Sequence, residues 1–166
     1  RKSKAQMDRN GKFVEDLEAL TARLGEDLQP SEKQSLEALK NRLLELQKSN
    51  VVKINHSVME LVCAKSLILK GYDVDIEHPL NETLTCDLYS VKGYGNLIAE
   101  IETGYIPPEH ALDPSTYLLA RIASKITRYS NHTEKFALGT PPHYTLPIPQ
   151  TLLKTPRARS TEELDQ

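Results

Sequence analysis

Apolar residues recur along the first fifty positions with the period of a helix. Phe13, Leu17, Leu20 and Leu24 are spaced by 4, 3 and 4 residues, and Gly25 stands where such a helix ends. The pattern predicts a second helix starting at Ser31, with Gln34 three positions later completing a capping box. Within it Leu36, Leu39, Leu43 and Leu46 repeat at 3, 4 and 3, a narrow seam of the coiled-coil type that is too short to stand alone. The seam needs cover. A second copy of the chain would supply it as a homodimer, and a helical hairpin within one chain would supply it equally well.

From Val51 the texture changes. Residues 56–70 (HSVMELVCAKSLILK) read as a helix that Gly71 stops. YDVDIE then alternates polar and apolar residues, as a strand covered on one face does. LTCDLYSV and NLIAEIET are two further strands, joined by a turn holding Gly93 and Gly95. Asp113 is placed to cap a helix that opens with Pro114 and runs to about Ser130, and KFALGT closes the series as a short strand. The prolines that follow predict a tail without regular structure. The chain thus divides into a helical arm (1–50), a core (51–141) and a proline-rich, basic tail (142–166). Helix, three strands, helix and strand in that order predict an α/β core with a mixed sheet.

Composition adds bounds. The chain has 166 residues, is 39% hydrophobic and 27% charged, and carries a net charge of −2. That balance fits a globular domain and does not advertise nucleic-acid binding, so any such function must come from local charge. No apolar run approaches the ~20 residues that span a bilayer, and RKSKAQMDRN at the start lacks the apolar core of a signal peptide. A reduced cytoplasmic setting without a membrane partner is expected. Cys63 and Cys86 read as small buried hydrophobes. His56, His78, His110, His132 and His143 form no pair at metal-ligand spacing, which argues against zinc.

The chemistry concentrates in CDLYSVKGYGNLIAEIETG, residues 86–104. Alternate side chains on a strand share a face, so Glu100 and Glu102 lie together and Leu97, Ala99 and Ile101 lie opposite. If the two strands pair as a hairpin, Asp87 faces Glu100. Carboxylates so close repel unless a cation neutralises them, and hard divalent ions take such oxygens, with the Ile101 carbonyl as a further ligand. A solvated acidic face needs no metal, and spacing alone leaves both readings open.

The order of elements, with Asp87 in the second strand and Glu100-Ile101-Glu102 in the third, resembles the PD-(D/E)XK nuclease superfamily. It is most similar to the archaeal Holliday-junction-resolvase-like and archaeal-virus nuclease-like branch, over about residues 54–140. The resemblance implies a restriction-endonuclease-like αβββαβ core and a Mg2+- or Mn2+-dependent DNA endonuclease. It further implies a duplex or branched DNA substrate, a homodimer, and the cytoplasm of an archaeal or virus-infected cell. Asp87, Glu100 and the Ile101 carbonyl then hold the metal, and Glu60 acts as an outer ligand through water. Glu102 stands where the family has lysine and takes the role of water-orienting base. That departure keeps a rival in play, a catalytically inactive DNA-binding protein of the same fold. An α/β protein-interaction module using the arm is a third reading.

Two assignments have plain alternatives. Ser57 and Glu60 form a capping box by spacing, whatever else Glu60 does. Arg121, Lys125, Arg128 and His132 make one stripe on the later helix, beside the arc of Leu118, Leu119, Ile122, Ile126 and Tyr129 expected to pack on the sheet. The stripe suits DNA phosphates, and Lys125 is positioned to replace the missing family lysine; an ordinary solvated helix face looks the same. Lys154, Arg157 and Arg159 are either a phosphate clamp or a charged chain end.

Overall fold

A computed structural model describes residues 4–49 and 51–164; the first three residues of the arm, its residue 50 and the last two of the tail lie outside the described residues. Three helices come first: α1 (Lys4–Leu24), α2 (Pro30–Lys48) and α3 (Ile54–Leu69). An antiparallel meander follows, β1 (Asp73–Pro79), β2 (Thr85–Lys92) and β3 (Gly95–Ile101). Helix α4 (Pro114–Tyr129) then carries the chain to β4 (Lys135–Gly139), which pairs parallel with β3. The sheet order is β1-β2-β3-β4. This is the α/β architecture with a mixed sheet that the hydrophobic pattern predicts.

Local signals account for most of the boundaries. Gly71 adopts φ 78 just past α3, a conformation open to glycine without steric cost. Asp113 accepts the Thr116 N–H at 3.2 Å, and Pro114 fills the first position of α4. Neither expected capping box forms where the sequence pattern puts it. In α2 the box is formed by Gln29 and Glu32, the Glu32 carboxylate accepting the Gln29 N–H at 2.8 Å, because Pro30 starts the helix earlier than Ser31. In α3 the cap is Lys53, so Ser57 and Glu60 lie inside the helix and form no box.

The arm is packed on the core. Leu36, Leu39 and Leu43 are buried in one cluster with Phe13 and Leu17 of α1, Leu61, Ala64 and Ile68 of α3, and Ile76, Leu88, Ala99 and Ile101 of the sheet. The seam assigned to a second copy is therefore filled within the chain, as the hairpin alternative has it. The opposite face of the sheet packs on α4, where Cys86 and Ile98 meet Tyr129. The tail is not wholly irregular: short helical turns form at α5 (Gln150–Leu153) and α6 (Thr161–Leu164). Tyr144 lies against Gly104, where φ is 72 and a β-carbon would meet the ring at 3.0 Å. Among the described residues no helix is long and apolar enough to cross a membrane.

Candidate metal centre

Asp87 sits where β2 changes allegiance. Leu88 packs under α3, whereas Cys86, two residues earlier, joins the cluster on the α4 side, so the strict alternation breaks between them. On β1 the paired residues Ile76–Leu88 and His78–Cys86 bracket Glu77 and Asp87. Glu77 has φ 49, a left-handed conformation that a long L side chain rarely adopts. The irregularity brings the Glu77 and Asp87 carboxylates to the same place under the first turns of α3. Strained positions of this kind cluster at functional sites.

Four groups converge there. His56, Glu60, Glu77 and Asp87 each offer one ligand atom, and these atoms lie within 4.8 Å of one another. His56 and Glu60 are four apart on α3, so they project from one face. His56 Nδ1 is 3.2 Å from Glu60 Oε1, and its Nε2 is 3.5 Å from Asp87 Oδ2. Glu60 is fully buried, and its Oε2 has no hydrogen-bond partner. Burial raises the Glu60 carboxyl, with His56 offsetting part of the rise. Burial, then Glu60 and Asp87, lift Glu77 to about 7. For His56 burial works against the charged form, but Glu60 and Asp87 outweigh it and the imidazole is raised. Two carboxyls raised by burial and by their acidic neighbours, beside Asp87 and one imidazole, make an oxygen-rich site of a kind that suits divalent cations.

On its other side Asp87 meets Glu100, as the strand pairing predicts. The Asp87 N–H donates to Glu100 Oε1 at 2.9 Å, and the Ile101 N–H donates to Asp87 Oδ2 at 2.6 Å. The place between them is taken by a side chain. Lys125 Nζ lies 2.6 Å from the Ile101 carbonyl, 3.2 Å from Glu100 Oε2 and 3.6 Å from Asp87 Oδ2. Its ammonium thus touches all three groups assigned to the metal. Glu100 is almost fully buried, and burial followed by Asp87 raises it to about 7 even with Lys125 pulling the other way. The sequence expectation that Lys125 reaches the site is met in this geometry.

Glu102 does not stand free as a base. It is fully buried, accepting Arg121 Nε at 2.7 Å and the Gly104 N–H at 2.9 Å. The same contact takes Arg121 out of the phosphate stripe, along with Lys125; Arg128 remains exposed, its guanidinium 5.7 Å from the centre of the Tyr129 ring. The helix face turned to the sheet therefore includes Arg121 and Lys125 with Ile122 and Tyr129, whereas Leu119 is exposed. In the tail, Arg159 Nε donates to the Lys154 carbonyl at 3.1 Å.

Spacing alone did not find His56 and Glu77. No second histidine lies at ligand spacing from His56; its partner is a glutamate one helical turn away. Glu77 carries no local motif and becomes visible only once β1 is set in register with β2. No family model, no curated protein and no solved structure matches the chain.

Proposed function

We propose that this protein is a metal-dependent phosphodiester hydrolase acting on DNA, built on a PD-(D/E)XK-like αβββαβ core. The observation that carries the reading is the convergence of His56, Glu60, Glu77 and Asp87, with the buried Glu60 keeping one oxygen unpartnered. The element order, Asp87 opposite Glu100, and Glu60 arriving from the preceding helix support the same assignment. These four residues would hold a divalent ion, which would supply Lewis acidity and lower the pKa of a bound water. The imidazole favours Mn2+ over Mg2+. Lys125 bridges Asp87 and Glu100 and presents its ammonium where charge builds on phosphate oxygens. Glu102, engaged by Arg121, is not available to orient the water.

Calorimetry with Mn2+ and Mg2+, followed by plasmid nicking, tests this. Binding heat and nicking are expected for the native chain, with both lost in Asp87→Ala and nicking reduced to the no-enzyme level in Glu60→Gln. Nicking that persists in EDTA would sink the reading. A catalytically silent DNA-binding protein on the same frame is the second reading. It is favoured by one observation, that Lys125 and Arg121 neutralise Glu100 and Glu102 without any metal. DNA binding in EDTA with no metal heat and no nicking would select it.

A further inference from the structure

A cleft of about 580 Å³ opens beside the four-residue cluster, and His56 and Glu77 form part of its wall. One side is the start of α3, including Lys53 and Ile54; the other is the segment after β3 with Tyr105, and α4 with Tyr117 and Arg121. The two tyrosines differ. Tyr117 is fixed: its ring stacks on His110 with centroids 4.3 Å apart, and its hydroxyl accepts from Arg121 at 3.1 Å. Tyr105 is 63% exposed at the rim, a large ring left in water next to a cavity.

The wall therefore offers aromatic and aliphatic surface, the exposed Lys53 at its edge and a cation-seeking cluster at one end. A flat, apolar group with polar edges, tethered to an anion that a divalent ion held by the cluster would neutralise, satisfies all of these together. A nucleotide has that chemistry, but only when unpaired. In a duplex both faces of a base are stacked and its edge is paired, so Tyr105 has nothing to stack on. We infer that the cleft takes an unpaired nucleotide of the substrate strand, which makes single-stranded or frayed nucleic acid, not intact duplex, the preferred ligand. The inference rests on the hydrolase reading for the placement of the phosphate at His56 and Glu77.

Fluorescence anisotropy with Ca2+ in place of Mn2+ separates binding from cleavage while keeping the acidic cluster neutralised. The probes are a short fluorescein-labelled oligothymidylate and the same strand annealed to its complement. The single strand is expected to bind at least tenfold more tightly. Tyr105→Ala is expected to weaken it by about fivefold to a hundredfold, the range of one base-on-ring stack, while Tyr105→Phe keeps native affinity. Equal binding of both probes together with no effect of Tyr105→Ala would overturn the inference, as would failure to bind either. Single-strand binding that needs Tyr105, in a chain that cleaves nothing with Mn2+, supports the nucleotide cleft and rejects the hydrolase. Asp87-dependent nicking of duplex that is indifferent to Tyr105 does the reverse.

Discussion

The ammonium of Lys125 governs how Asp87 and Glu100 share their charge. Removing it leaves two nearly buried carboxylates face to face, so Lys125→Met is expected to push Glu100 further above about 7. The vacated place favours a divalent ion, and calorimetry of that variant is expected to show tighter Mn2+ binding. On the proposed hydrolase reading, nicking is expected to fall about a hundredfold, the usual effect of deleting one donor to a transition-state oxygen. Tighter metal binding with slower cleavage is a signature that simple unfolding does not give. Arg121 has a different duty. Arg121→Ala leaves Glu102 buried without its cation, which costs about 3 kcal/mol in urea unfolding, and adding Glu102→Gln is expected to recover most of it. Residue types and their spacing made Asp87, Glu100 and Lys125 legible in the sequence. The duty of Glu102 was not, because a carboxylate that binds a metal and one that binds an arginine look alike until the opposing helix is in place.

The opposing helix follows a simple rule. Because β3 and β4 run parallel, α4 between them runs back along β3, so its numbering falls as the strand's rises. Four helical residues cover about 6 Å, and two strand residues about 6.6 Å. Ile98 therefore meets Tyr129, Glu100 meets Lys125 and Glu102 meets Arg121, each step two along the strand and four back on the helix. An alanine inserted between Ile122 and Ala123 turns the helix by about 100° and cannot keep both ion pairs. Such an insertion is expected to destabilise the fold more than Arg121→Ala does, as urea unfolding will show. The leucine seam of α2 gives a companion test. Leu43 is fully buried inside the chain, so Leu43→Ala is expected to cost 2–5 kcal/mol. A melting temperature independent of protein concentration, before and after the change, is the expected sign of cover from within. Strand and helix periods were plain in the sequence because burial imposes them. Cap positions shifted because Ser, Gln and Glu near a proline offer several local solutions, and tertiary packing chooses among them.

At the scale of the whole molecule these acids link stability to pH and, through the proposed ion, to metal. Glu77 and Glu100 hold protons up to about 7 in the fold but only to about 4.5 when unfolded. The folded chain therefore binds more protons between those values, and stability falls as pH rises through that window. His56 has the same sign, since its raised imidazole stabilises the fold while protonated and that contribution is lost as pH rises through its folded value. Thermal unfolding in EDTA is expected to show the decline, and saturating Mn2+ to remove it. Mn2+ binding near pH 7 is expected to release protons, so its apparent heat changes with the ionisation enthalpy of the buffer. The left-handed backbone of Glu77 carries the last consequence. Asparagine tolerates that conformation better by about 1 kcal/mol, so Glu77→Asn is expected to melt higher while gripping Mn2+ less tightly. Durability and reactivity part company at this one position, and a laboratory selection for heat tolerance alone is expected to discard its glutamate early.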